Sequence, residues 1–201
     1  FFVTLVFSLP LGLLVCWGKM SKIPVIRWIV TAYISIMRGT PLMLQLMVVF
    51  YGPKLLLGVT VPGNWRFTAV IVAFVINYAA YFAEIYRGGI ESIPRGQYEA
   101  AQVLGYTKAQ TFFKIILPQM VKRVIPAVTN EVITLVKDTS LSRIIALQEI
   151  IWAGQAFLKG TQGISGAIWP LFFTGIYYLI FSGVLTLLFG YIEKKLDYFK
   201  V

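Results

Sequence analysis

Histidine is absent from the 201-residue sequence, cysteine occurs once, and only eight acidic residues stand against eighteen basic ones. Without histidine there is no histidine-based metal site, catalytic triad or proton relay. The lone Cys16 lies in an apolar run and excludes an intramolecular disulfide. A phosphate-cradling G-x-x-x-x-G-K loop is missing as well: the Gly18-Lys19 pair has Leu13 where the first glycine belongs. No internal repeat and no low-complexity tract interrupts the chain. These absences argue against an enzyme and against a chain that binds ATP by a P-loop; no metal and no cofactor is implied.

Apolar residues fill the space. Fifty-eight per cent of the chain is hydrophobic and 13% charged, with a mean hydropathy of +0.78. A soluble domain of this length leaves too much surface exposed to hide so much apolar area. Several runs approach the ~20 apolar residues that cross a bilayer. The lipid bilayer is therefore the first partner. Aromatic residues, at 15%, suit interfacial belts, with Trp17, Trp65, Trp152 and Trp169 as belt candidates. The net charge of +10 does not point to nucleic acid, because the basic residues fall between the apolar runs, where they orient membrane helices.

The expected fold is an all-α integral membrane protein of five transmembrane helices, a single transmembrane domain over 1–201. Spans are expected near Phe1–Trp17 (with Pro10 a kink), Leu42–Leu57, Phe67–Tyr86, Val124–Leu147 and Ile168–Tyr191. Between the first two, Ser21–Met37 reads as an amphipathic interfacial helix. Ile23, Ile26, Ile29, Val30, Tyr33 and Met37 recur near helical spacing, with Ser21 as cap and Pro24 in the first turn. Arg38-Gly39-Thr40-Pro41 then breaks it, Thr40 and Pro41 serving as cap and first position of the next helix. Gly58–Trp65 and Gln148–Gly166 are expected as outer loops, with Lys159 in contact with solvent or a binding protein, and Gly88-Gly89 as a bend into the central loop. Phe1 falls inside an apolar run without an initiating Met, so a longer start is expected. Phe1–Gly18 lacks the basic region and cleavage site of a signal peptide.

Charge sets the orientation. Thirteen basic residues, from Lys19 and Lys22 through Arg87–Arg123 to Lys194, Lys195 and Lys200, fall on one side. Only Lys54, Arg66 and Lys159 fall on the other. The long central loop and the C-terminus are thus expected in the cytoplasm, and the N-terminus outside.

The central loop, 94–118, reads as a built object. Pro94-Arg95-Gly96 signals a turn, and Gln97–Leu104 suits a short helix with Glu99 in its first turn. Gly105 can supply the positive φ that ends it. Thr107-Lys108-Ala109-Gln110 fits a capping box for a second helix running to Leu117, with Pro118 as the stop. Ala100 and Ala101 would let another backbone come close.

The spacing Glu99-Ala100-Ala101, three residues, Gly105, nine residues, Ile115-Ile116-Leu117-Pro118 resembles the EAA loop of permease subunits of binding-protein-dependent ABC importers. Arg38-Gly39-Thr40-Pro41-Leu42, Asn77 with Glu84–Gly89, and Lys137-Asp138-Thr139-Ser140-Leu141 are similar to the polar amino-acid group of that family. The resemblance covers most of the chain. It implies that Glu99, Ala100, Ala101 and Gly105 couple the chain to a separate ATPase. It also implies two ATPase subunits, a second permease subunit (a homodimer favoured, a heterodimer possible), an extracytoplasmic amino-acid-binding protein, and residence in a bacterial inner membrane.

Charged groups inside a bilayer cost roughly 2.5–3.5 kcal/mol each on insertion scales, so they mark candidate sites. Asn77 and Glu84 share one face of the third span with Tyr81 between them; Glu131, Thr134 and Asp138 share a stripe of the fourth; Gln45 sits in the second. Converging, these six would line a wet cavity for a polar amino acid, with a lean towards basic ones or glutamine. For several of them a structural reading stands beside this one: Glu84 can pair with Arg87, Asn77 can join helices, and Lys137 with Asp138 can hold a helix break. An ion-coupled secondary transporter is the alternative function, against which stands the lack of inverted repeats.

Overall fold

A computed structural model of the chain describes residues 1–160 and 168–196, and among them every regular element is helical. In order these are α1 (Phe2–Lys19), α2 (Pro24–Gly39), α3 (Leu42–Leu57), α4 (Trp65–Glu91) and α5 (Arg95–Val103). Then come α6 (Lys108–Thr111), a π-helical turn (Phe112–Ile116), α7 (Leu117–Asp138), a 3₁₀ turn (Thr139–Ile145), α8 (Ile150–Gly160) and α9 (Ile168–Lys195).

The centre is α4, packed on α1, α2, α3 and α7. Its buried face carries Ala73, Phe74, Tyr78, Ala80, Phe82 and Ala83. Small residues bring α1 onto it. Thr4, Ser8, Gly12 and Cys16, one every fourth position, are the buried residues of α1. A side chain on Gly12 would meet Phe82 Cβ at 2.8 Å and the Ala79 carbonyl at 3.2 Å. Small-residue stripes are how membrane helices gain van der Waals contact where the lipid is as apolar as the protein. At the far end of α4, Gly89 allows α7 in the same way, since a Cβ there would lie 2.2 Å from Val124 Cγ1. The expected bend at Gly88-Gly89 is thus corrected: α4 runs straight through to Glu91, and Gly89 serves close packing.

Among the described residues three helices, α1, α4 and α9, are long and apolar enough to cross a membrane. The pair α2 and α3 meets the test as one span bent by 109°. That gives up to four, where five were expected. The fifth, α7, falls outside the set, as it carries Lys122, Arg123, Glu131, Lys137 and Asp138.

Other boundaries shifted for local reasons. Helix α2 begins at Pro24 with Ile23, not Ser21, at its cap position, and the Ser21 hydroxyl instead accepts from the Ile23 amide at 3.2 Å. Pro41, not Thr40, stands at the cap of α3. Pro118 does not stop the chain: it lies in the first turn of α7, which tolerates a missing N–H, and the helix continues as one rod to Asp138. The fourth span ends there rather than loosely at Leu147, passing into the 3₁₀ turn that Ala146 closes with φ +57°. The expected outer loop 148–166 contains helix α8, whose first amides, at Ile151 and Trp152, donate to the Glu149 carboxylate at 2.8 and 2.7 Å. The surroundings of Lys159 and of Trp169 lie outside the described side chains.

The two ends of the bundle are distinct. Lys194 and Leu196, at the end of α9, line a hollow with Lys122 and Pro126 of α7. The C-terminal end of α9 and the central loop therefore share one end. Phe1 lies at the other, in a hollow with Val136, Thr139 and Tyr177.

Candidate functional site

Two regions are candidates for function: a knob on the basic end and a cavity within the bundle. The knob comprises α5, α6 and the π turn. Helix α5 ends in a Schellman arrangement, with the Tyr106 amide donating to the Ala101 carbonyl and the Gly105 amide to the Gln102 carbonyl, both at 3.0 Å. Gly105 has the positive φ, +75°, that this turn requires. Thr107 and Gln110 then form a reciprocal capping box, at 3.3 and 2.9 Å. The base of the knob is tied down by Arg123, which donates to the Ser92 carbonyl at 2.5 Å, and by Gln119, which donates to the Gln97 side chain at 3.3 Å. Glu99 and Ala100 face outward, as does the apolar pair Val103 and Leu104 (89% and 72% exposed). Ala101 is fully buried within the chain itself, so its small side chain serves the packing of the knob rather than its surface.

The cavity, about 270 Å³, is lined by Thr40, Pro41, Leu42, Asn77, Tyr78, Tyr81, Glu131, Thr134 and Asp138. A broken helix pair and the end of another helix meet there. The α2–α3 break supplies Thr40–Leu42, and the end of α7 supplies Asp138. Four of the six expected residues, Asn77, Glu131, Thr134 and Asp138, are brought together. The other two are not. Glu84 points to Arg87, which donates to it at 2.7 and 3.1 Å and to Glu91 at 2.5 Å. Arg38 stands 3.9 Å from Glu84 and 5.3 Å above the Tyr81 ring. Gln45 is buried behind the wall, bonded to Asn77 at 2.8 Å.

Tyr78 was not foreseen. Its hydroxyl donates to Asp138 Oδ2 at 2.7 Å, joining α4 to the end of α7. A tyrosine within an apolar span needs a polar partner, and that need was the available signal. The Thr134 hydroxyl donates to the Asn130 carbonyl at 2.9 Å, one turn back along α7. With one carboxylate engaged by a phenol and a second, Glu131, half-buried beside it, the cavity presents acceptors of negative charge.

Over residues 8–198 the sequence matches the family described as binding-protein-dependent transport system inner membrane component. The chain belongs to this family. This permease is 36% identical to the arginine transport system permease protein ArtQ of Bacillus subtilis, over 96% of this chain and 86% of that one. It is 35% identical to the L-cystine transport system permease protein TcyB of the same organism, over 97% and 81%. The arginine ABC transporter permease protein ArtM of Escherichia coli K12 is 34% identical, over 87% and 79%. Among solved structures, an amino acid ABC transporter crystallised with histidines superposes with a TM-score of 0.85 at 30% identity, covering 96% of this chain and 87% of that one. The inward-facing MetNI methionine ABC transporter superposes at 0.69 and 20% identity, a likeness of fold alone.

Proposed function

We propose that this permease forms the translocation pathway of an ATP-driven importer for polar amino acids, with basic ones favoured. The observation that carries the cargo is the cavity that Glu131, Thr134 and Asp138 of α7 line together with Asn77, Tyr78 and Tyr81 of α4. Relatives named for arginine, cystine and glutamine transport support the amino-acid class. Five crossings are proposed: α1, the broken α2–α3 pair counted from α3, α4, α7 and α9. In this arrangement α2 rests at the interface, and the polar stripe of α7 is tolerated because it faces the pathway.

One such bundle encloses a pathway poorly, so a second permease, favoured as an identical copy, completes it. The knob at 94–118 docks a separate ATPase through Glu99, Ala100 and the neighbouring exposed apolar pair, with Gly105 and buried Ala101 holding its shape. Two ATPase subunits act below and a binding protein delivers cargo above, the basic end facing the cytoplasm. ATP binding draws the knobs together and opens the pathway outward; hydrolysis returns it inward. Nothing among the relatives supports the ion-coupled alternative.

Co-purification and uptake test the reading. Tagged protein should bring down an ATPase subunit, and Glu99→Arg should abolish that association and uptake together. No ATPase in the eluate, with uptake intact in Glu99→Arg, overturns the coupling. For the cargo, Glu131→Gln should raise the KM of basic amino acids by about tenfold, ~1.4 kcal/mol of binding. An unchanged substrate profile removes the cavity from consideration.

A further inference from the structure

We infer that Gln45 and Asn77 are positioning residues that fasten the break between α2 and α3, shaping the cavity wall without holding the cargo; the inference rests on the permease reading above. Helix α2 ends within the bundle, and the last carbonyls of any helix lack intrahelical donors. On the side of the break that packs against Gln45 and Asn77, which are 9% and 4% exposed, little water reaches those carbonyls, so the protein supplies the donors. The two amides do so. Gln45 Nε2 lies 2.9 Å from the Met37 carbonyl, 3.1 Å from the Thr40 carbonyl and 2.8 Å from the Thr40 hydroxyl. Asn77 Nδ2 donates to the same Met37 carbonyl at 3.1 Å and to Gln45 Oε1 at 2.8 Å.

Each NH₂ group has two protons, and each already has at least two protein acceptors. A cargo carboxylate would have to take a donor from the break itself. Both side chains are also buried, Gln45 at 9% and Asn77 at 4% exposure. Between their anchor points lie Thr40 and Pro41. Pro41 has no N–H, and its carbonyl accepts from Leu44 and Gln45 at 3.0 and 3.2 Å. The segment that forms one wall of the cavity is therefore held from both sides by this pair. Loosening it moves the wall for every cargo alike, whereas removing a true ligand penalises one cargo more than another.

The test uses the whole transporter, reconstituted with its ATPase and binding-protein partners and a panel of amino acids. Gln45→Leu and Asn77→Leu should each raise KM by one shared factor across the panel, about tenfold or ~1.4 kcal/mol, with a smaller change in kcat. The double variant should be no worse than the worse single, because both act through one network. Glu131→Gln, in contrast, should reorder the panel. Should the leucine variants fold poorly, Gln45→Glu and Asn77→Asp keep the shape, lose the donors and should act in the same direction.

A second readout needs only the permease chain. With Cys16→Ser as background, spin labels at Ser35→Cys on α2 and Val48→Cys on α3, both exposed, should give a distance distribution that broadens when Gln45→Glu is added. Losses that multiply, a reordered panel, or an unchanged label distribution overturns the positioning role. Absence of any amino-acid uptake by the parent transporter strikes the permease reading instead, and the label distances still decide the fate of the fastening.

Discussion

The knob and the cavity are held together over very different distances along the chain. In the knob, the shaping bonds run three to five residues: Thr107 with Gln110, Gly105 with Gln102, and Tyr106 with Ala101. At the helix crossings around the cavity they run much further: Gln45 to Asn77 is 32 residues, Tyr33 to the Ile76 carbonyl 43, and Tyr78 to Asp138 60. The knob is a local object clipped onto the bundle, while the cavity exists only where three separate segments meet: the α2–α3 break, α4 and the end of α7. The difference teaches that the two parts should fail differently. Damage to the knob should leave the membrane bundle standing, and damage at the helix crossings should remove the cavity with the fold.

The largest effect is expected at the crossing of α4 and α7. Gly89→Leu must push α7 away, since its Cβ alone would overlap Val124. Overpacking of this kind costs about 1–3 kcal/mol or more, and little folded protein should survive detergent size-exclusion chromatography. Gly88→Leu, exposed and with open space around it, should elute as the parent does. Equal yields from the two would break the contrast between crossing and surface.

Next comes Tyr78→Phe. Losing the bond to Asp138 should cost about 1.5–3 kcal/mol, the range for hydrogen bonds to charged groups, read as a lower thermal midpoint together with weaker substrate affinity. A lower midpoint with unaltered affinity would detach Asp138 from the cavity.

In the knob the costs are smaller and confined. Gly105→Ala places a Cβ at φ +75° and should cost about 1–2 kcal/mol. Thr107→Ala should cost about 1 kcal/mol through the lost cap. Both should raise amide hydrogen exchange over 95–111 and weaken ATPase association, while exchange in α4 stays as in the parent. Faster exchange in α4 would show that the knob is not the separate unit drawn here. The smallest effect belongs to Glu91→Gln: that carboxylate is half exposed, and such pairs contribute about 0–1 kcal/mol, so uptake should stay within experimental scatter.

The same distances explain what could be read in advance. The end of helix α5, the positive φ of Gly105 and the Thr107 capping box were legible because caps and turns are written within a few residues; the start of α5 was not, since the helix begins at Arg95 rather than Gln97 and leaves Glu99 beyond its first turn. The basic end was legible because charge partitions between apolar runs. The polar stripe Glu131, Thr134 and Asp138 was legible from helical spacing alone. The outcome for Gln45 was not, and for Glu84 the sequence left the Arg87 pair and the cavity both open. Helical period shows which face a residue occupies but not what faces it, and Arg87 and the end of α2 were nearer than any cargo. Gly89 was read as a bend because a glycine pair has the same local signature whether it turns the chain or admits a neighbour.

By itself the sequence determined the membrane class, the basic end and the capped turns at Gly105 and Thr107 that shape the knob. Each follows from composition, periodicity or short-range capping, all of which act before distant segments meet. Only the tertiary structure decided that Pro118 is passed without a stop, that small residues seat α1 and α7 on α4, and that the membrane acids divide into different roles. Glu84 goes to an ion pair, Asp138 to a tyrosine and Glu131 to the cavity. The physical reason is that a buried polar group takes the nearest satisfactory partner, and nearness in a folded bundle is set by packing between segments far apart in the chain.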